Sequence, residues 1–127
     1  MKKIIYSPGE PSGIGPDLII KLSSSKLWED MRIPILTVGD PKLFVDRTAT
    51  LKKKVKILEL DSLDQVKKNI KGHLQIIKTS KCSNTKPGKL YKSNAQYVLD
   101  NLNYSIKQTM LNERTALVTG PLSKENI

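Results

Sequence analysis

Strand-type and helix-type segments alternate along this chain, and that order most limits the folds it can adopt. Five short apolar or β-branched runs are typical of strands, at 3–7, 33–38, 55–60, 74–77 and 115–119. The segment from Ser93 to Leu111 is the clearest helix, because apolar residues recur in it at three- and four-residue steps. Strands that alternate with helices predict an α/β protein with a mainly parallel sheet flanked by helices.

The helical segments allow more detailed expectations. Pro16 suits the first position of a helix, and another helix is expected from Pro41 to Lys53. In the clearest helix Ser93 is the expected N-cap. The residues expected to face inward there are Ala95, Val98, Leu99, Leu102, Ile106 and Met110. The segment from Asp61 to Gly72 is ambiguous, and a short helix there would turn Leu63, Val66 and Ile70 inward.

The charge of the chain raises the question of nucleic-acid binding. The chain has 127 residues, the length of one domain, and a formal net charge of +10. Lysine supplies 19 of the 22 basic residues and is spread along the whole chain. Specific recognition of bases and phosphates favours the planar fork of arginine instead. Nucleic-acid binding is therefore a minor alternative for this protein.

Neither a membrane segment nor a signal peptide is expected. No apolar run approaches the ~20 residues that span a bilayer, and Pro8 and Gly9 interrupt the short apolar run at the N-terminus. Cys82 is the only cysteine, so no intrachain disulfide can form, which fits a reducing compartment. These observations indicate a soluble cytoplasmic protein, in which Cys82 is an incidental loop thiol.

The sharpest local signal is the glycine-rich loop that follows the first strand. Gly9, Gly13 and Gly15 have the spacing G-x-x-x-G-x-G, and a helix begins directly after them. Glycines allow a tight turn and the close approach of a ligand, and a helix N-terminus suits phosphate. The spacing matches neither the dinucleotide fingerprint nor a P-loop. On spacing alone, a structural turn and a ligand-binding loop remain equally open.

A second signal follows the last strand, in the sequence Thr119-Gly120-Pro121-Leu122-Ser123-Lys124. This segment stands at the expected carboxyl end of a parallel sheet, where ligands bind in open α/β folds. Lys124 could meet a phosphate or a carboxylate there, or it could be a solvated lysine in the first turn of a helix capped by Ser123. The chain ends at Ile127, within that expected turn, which suggests an incomplete sequence.

The sequence offers no set of residues for metal binding or nucleophilic catalysis. His73 is the only histidine, and next to Gly72 it is expected to be a surface residue. One histidine, one cysteine and scattered carboxylates do not make a metal ligand set. No Ser/His/Asp arrangement is credible either.

Together, three motifs resemble those of a known family. Ser-Pro-Gly-Glu-Pro-Ser-Gly-Ile-Gly-Pro-Asp at 7–17 is similar to the opening of the 4-hydroxythreonine-4-phosphate dehydrogenases. Pro87-Gly88-Lys89, followed by the amphipathic helix with Asn94, and the segment Ala116 to Lys124 resemble the next two landmarks. The shorter glycine-rich opening of the isocitrate and isopropylmalate dehydrogenases is the nearest confounder, and the inserted Glu10-Pro11-Ser12 favours the first family.

The resemblance implies a fold and an activity. The fold would be the first part of the isocitrate/isopropylmalate dehydrogenase-like fold, and residues 1–127 would be the N-terminal part of the enzyme. The activity would be the oxidation of 4-phosphohydroxy-L-threonine with NAD or NADP, followed by decarboxylation, in vitamin B6 synthesis. The resemblance also implies a divalent metal ion as Lewis acid and a homodimer with active sites near the subunit interface.

The resemblance also limits which residues can be assigned. The family's metal-binding histidines, its His-Thr substrate pair and its later substrate-holding residues correspond to positions beyond Lys124, so no catalytic or metal residue is assigned here. The opening loop and the Thr-Gly-Pro segment carry over as cleft or cofactor-loop candidates. These candidates are Gly9, Glu10, Gly13, Gly15, Thr119, Gly120 and Lys124.

Three functional hypotheses are therefore open. The first is the N-terminal part of an oxidoreductase, inactive as this chain alone. The second is a non-catalytic remnant or binding module, and the third is a basic nucleic-acid binder. The first two share every residue, so the sequence does not separate them.

Overall fold

A computed structural model of the chain describes residues 2–83, 88–89 and 91–121, and within them it has one five-stranded sheet. All strand pairs are parallel, and the strand order is β3-β4-β2-β1-β5. The strands are β1 Lys3–Ser7, β2 Ile35–Val38, β3 Lys56–Leu60, β4 His73–Ile77 and β5 Thr115–Thr119. The predicted α/β class with a parallel sheet is confirmed.

Helices connect the strands, with bounds α1 Ile14–Ser23, α2 Lys26–Asp30, α3 Pro41–Thr50 and α4 Ala95–Leu111. Two 3₁₀ turns lie at Leu63–Gln65 and Lys92–Asn94. The expected start of the first helix at Pro16 was wrong, because α1 already begins at Ile14. The second expected helix begins at Pro41 as predicted but ends at Thr50, before the lysine run. The sequence pattern did not predict α2, which buries a single residue, Trp28.

The core has two parts, one on each face of the sheet. On one face Tyr6 and Ile35 pack with residues of α1, α2 and α3, among them Ile20 and Phe44. On the other face Ile5, Leu36, Val38 and Ile77 pack with Leu63 and Val66, and Tyr104 of α4 packs against them. A parallel sheet needs cover on both faces, and this arrangement supplies it for the central strands.

The face that α4 turns toward the sheet differs from the prediction. Its buried residues are Tyr97, Val98, Asn101 and Ser105, whereas Ile106 is 40% exposed and Met110 is 82% exposed. Asn101 and Ser105 can be buried because their polar atoms are hydrogen-bonded. Ser105 Oγ donates to Asn101 O at 2.7 Å, and Asn101 Oδ1 accepts from Thr79 Oγ1 at 2.6 Å. The predicted inward role of Ile106 and Met110 was therefore wrong.

Two further local expectations were wrong. Ser93 is not the N-cap of α4, because a 3₁₀ turn precedes the helix and Asn94 occupies that position. Between β3 and β4 only a 3₁₀ turn forms; Leu63 and Val66 are buried as expected, but Ile70 is 45% exposed. In both places, short-range turns replaced the regular helix that the pattern suggested.

No helix within the described ranges is both long enough and apolar enough to cross a bilayer.

Candidate functional site

The two segments that the sequence singled out meet at the carboxyl edge of the sheet. β1 and β5 are neighbours in parallel register, with Ser7 opposite Thr119. The Gly120 N–H donates to Ser7 O at 2.7 Å, and the Glu10 N–H donates to Pro121 O at 3.1 Å. The opening loop and the end of β5 therefore form one continuous backbone layer at this edge.

Three glycines allow this backbone layer to form. A Cβ atom added at Gly15 would lie 1.8 Å from the carbonyl oxygen of Pro8, and one added at Gly120 would lie 2.1 Å from the same oxygen. A Cβ atom added at Gly9 would lie 2.1 Å from Pro121 O, and Gly9 also has a φ of +83°. No side chain fits at these distances. Glycine is required at these three positions because one backbone segment of the chain packs directly against another.

The remaining candidates differ in their surroundings. Glu10 is buried, and its carbonyl oxygen accepts from the Gly13 N–H at 3.0 Å. Gly13 is the N-cap residue of α1 and has no side chain with which to cap the helix. Thr119 is exposed at the end of β5. Lys124 lies outside the described residues. The structure thus brings Gly9, Glu10, Gly13, Gly15, Thr119 and Gly120 to one edge.

Arg47 of α3 contacts the opening loop, and it was not among the candidate site residues that the sequence indicated. Its guanidinium pairs with Asp17 Oδ1 at 2.7 Å. It also donates to Gly13 O at 3.4 Å and to Pro11 O. Tyr6 Oη donates to Gly15 O at 2.9 Å. An arginine at an inward helix position was the available signal, because a buried cation needs a partner.

A buried polar cluster lies behind the loop, at the carboxyl end of β2. Asp40 accepts from the N–H groups of Lys42 at 3.1 Å and Cys82 at 2.9 Å, which caps α3 and fixes the segment at Cys82. The Asp40 N–H donates to Tyr97 Oη at 2.9 Å. Asn94 Oδ1 accepts from the Ser83 N–H at 3.0 Å. These bonds join the start of α3, the segment at Cys82 and the start of α4.

The thiol of Cys82 is part of this cluster and is not exposed. Burial, helped by the charge of Asp40 and opposed by that of Arg47, raises the pKa of Cys82 to about 12. Burial also raises the pKa of Tyr97. The thiolate is the nucleophilic form of cysteine, so at neutral pH Cys82 is a packing residue.

The described residues do not form a metal site. Within residues 2–83, 88–89 and 91–121, no group of three His, Cys, Asp or Glu side chains could hold a metal ion. His73 lies at the amino end of β4, at the opposite edge of the sheet from the loop, and its ring Nδ1 is 3.3 Å from Lys71 O. These residues do not fit the metal ion that the family resemblance implies, so we derive no metal-dependent step from them.

An apolar groove lies beside the site, between α1 and β5. Its lining includes Tyr6, Leu18, Leu22 and Val118, and it ends at Gly120 and Pro121. Leu18 and Val118 are exposed there. This side of β5 is thus less covered than the central strands.

The fold and the loops at its carboxyl edge define a parallel α/β protein whose candidate site is built from backbone. The family described as pyridoxal phosphate biosynthetic protein PdxA matches residues 30–127. The chain belongs to this family.

Individual relatives agree with the family match. Proteins of Citrobacter koseri and Shewanella frigidimarina, both named 4-hydroxythreonine-4-phosphate dehydrogenase, are 32% identical to it over 124 and 123 residues. These matches cover 98% and 97% of this chain but 36% of each relative. The chain thus spans about a third of the length of the curated relatives it matches.

Solved structures confirm the fold. Structures from Burkholderia phymatum and Klebsiella pneumoniae, titled as 4-hydroxythreonine-4-phosphate dehydrogenases, superpose with TM-scores of 0.86. Their identities are 17% and 21%, and each match covers 99% of this chain and 38% or 39% of the other. At such identities the likeness concerns the fold, which is the dehydrogenase-like α/β fold predicted from the resemblance.

Proposed function

We propose that this chain contributes the opening α/β part of a 4-hydroxythreonine-4-phosphate dehydrogenase. The observation that carries the proposal is the family match over residues 30–127, together with relatives of that name at 32% identity over nearly the whole chain. The reaction would be the NAD- or NADP-dependent oxidation of 4-phosphohydroxy-L-threonine, followed by loss of CO₂, in cytoplasmic vitamin B6 synthesis.

In this proposal the chain's own residues line one wall of the cleft. The candidates are Gly9, Glu10, Gly13, Gly15, Thr119, Gly120 and Lys124, and six of them lie at the carboxyl edge where open α/β folds bind ligands. Their contribution would be a rigid backbone surface beside the N-terminus of α1, which suits a phosphate group. The metal ion and the later substrate-holding residues are assigned to positions outside this chain, and the whole enzyme would be a homodimer.

The uncovered surfaces support a role within a larger assembly. β5 is an edge strand of the described sheet, and Val118 and Thr119 on it are exposed. On α4, Met110 and Leu111 are also exposed. Exposed apolar side chains and an unpaired strand edge are features that a partner commonly covers. The length of the relatives suggests that the remaining two thirds of the family enzyme covers these surfaces.

An activity measurement tests this assignment. We expect the purified 127-residue chain to form no NADH or NADPH from 4-phosphohydroxy-L-threonine with any divalent metal ion, because no metal ligand set occurs in its described part. Absorbance at 340 nm measures the product. Metal-dependent, substrate-dependent NAD(P)H formation by the isolated chain would overturn the division of roles proposed here.

A further inference from the structure

Arg47 is a buried cation whose contacts reach far along the chain. Its side chain is 4% exposed, and all three of its partners lie at 11–17, between 30 and 36 residues earlier. One partner is the Asp17 carboxylate in the first turn of α1, and the other two are backbone carbonyls of the opening loop. The guanidinium therefore ties α3 to the loop and to the start of α1.

A buried charge is a costly way to fill this space. Removing an arginine from water is unfavourable, and one ion pair seldom does more than offset that cost. The same helix carries an ordinary surface pair, Lys42 with Asp46 at 3.0 Å, with side chains that are 76% and 61% exposed. Arg47 differs from that pair because its planar fork can donate to several acceptors at fixed angles. The contacts of the guanidinium group therefore fix the orientation of the loop.

The carbonyl contacts determine how the loop peptides are turned. In a trans peptide the C=O and the following N–H point in opposite directions. Since Pro11 O and Gly13 O are directed at Arg47, the N–H groups of Ser12 and Ile14 point away from it. The carbonyl between them, Ser12 O, accepts from the Gly88 N–H at 2.8 Å. Three successive peptides are thus fixed from two sides.

We propose that Arg47 is a positioning residue of the candidate cleft, which sets the peptide orientations of the loop that carries Gly9, Glu10 and Gly13. The inference rests on the proposed function only for the statement that this loop lines a cleft. The contacts of Arg47 with Pro11, Gly13 and Asp17 belong to the chain itself, so the inference can be tested without any catalysis.

Amide hydrogen exchange in the purified 127-residue chain provides the test. The loop is reported by the hydrogen-bonded N–H groups of Glu10 and Gly13, and the centre of the sheet by the N–H groups of Leu36 and Ile76 in its paired strands. In Arg47→Met, the exchange rates of the loop amides should rise at least about tenfold more than those of the sheet amides. Local opening of the loop and global unfolding are separate events, so the two groups of amides can respond differently. Lys42→Met is the matched control on the same helix and should leave the loop amides unchanged.

Arg47→Lys separates positioning from simple stabilisation. A lysine can still pair with Asp17, but a point charge cannot hold two carbonyls at fixed angles as well. We expect Arg47→Lys to recover most of the global stability that Arg47→Met loses, while its loop amides still exchange faster than those of the parent chain. It also serves as the informative variant if Arg47→Met does not fold.

Two results would overturn the inference. One is that the exchange rates of loop and sheet amides rise by the same factor in both variants, which would mean that Arg47 only adds global stability. The other is parent-like protection of the loop in Arg47→Lys or in a folded Arg47→Met. Failure of the dehydrogenase proposal would look different, because the native gene product from its source cells would form no NAD(P)H while the loop amides of the 127-residue chain still responded to Arg47.

Discussion

Gly9→Ala is expected to lower the free energy of unfolding by about 3 kcal/mol, as the sum of two costs. The φ of +83° at Gly9 costs an L-residue about 1–2 kcal/mol. The new Cβ atom would also lie 2.1 Å from Pro121 O, and forced overpacking of this kind costs about 1–3 kcal/mol. The atom that must move is backbone, so side-chain rotation cannot relieve the contact. Urea unfolding followed by tryptophan fluorescence measures the loss.

Gly72→Ala is the matched control for this prediction. Gly72 has nearly the same φ, +80°, but a Cβ atom there would meet only Lys54 O at an ordinary 3.5 Å. Its loss should be limited to the backbone strain of about 1–2 kcal/mol. Equal losses in the two variants would show that the contact between the opening loop and the end of β5 does not exist in solution.

Trp28→Ala is expected to cost about 3–5 kcal/mol, the usual range for removing a large buried aromatic side chain. Trp28 is the only tryptophan and is 1% exposed. It is also the one buried residue of α2, so its packing is what attaches this five-residue helix to the core. Because the variant lacks the fluorophore, far-UV circular dichroism in urea is the suitable measurement.

Trp28→Phe is the control for the aromatic contact. The indole Nε1 is buried and has no hydrogen-bond partner among the described residues, so phenylalanine removes an unsatisfied donor and keeps most of the apolar surface. A loss below about 1.5 kcal/mol is therefore expected. If Trp28→Ala cost no more than Trp28→Phe, the helix would not be anchored through this side chain.

The sequence predicted the elements whose signals are local. The positions of the five strands along the chain and the loop of Gly9, Gly13 and Gly15 could be predicted because apolar runs and glycine spacing are local properties. Helix α2 was missed because a five-residue helix with one buried side chain has no periodicity to detect. The inward face of α4 was misplaced because Asn101 and Ser105 are buried: Ser105 bonds to the Asn101 carbonyl one turn earlier, whereas Asn101 Oδ1 is satisfied by Thr79, which only tertiary contact can arrange.

The candidate site shows the same limit. The sequence indicated which two segments would lie at the carboxyl edge, but it could not show that Gly15 and Gly120 both pack against Pro8 O. Nor could it assign Arg47, whose partners lie 30 or more residues away. Both features depend on which segments become neighbours, and no local pattern encodes that.

The most direct measurement is the intact mass of the native gene product from its source cells, combined with an assay of the same preparation for NAD(P)H formation from 4-phosphohydroxy-L-threonine. The proposed function predicts a polypeptide well above 14.2 kDa, the mass of this chain, with metal-dependent activity. A product of 14.2 kDa without activity would contradict the dehydrogenase proposal and favour a non-catalytic remnant or binding module. A product of 14.2 kDa with activity would contradict the assignment of the metal site to residues outside this chain.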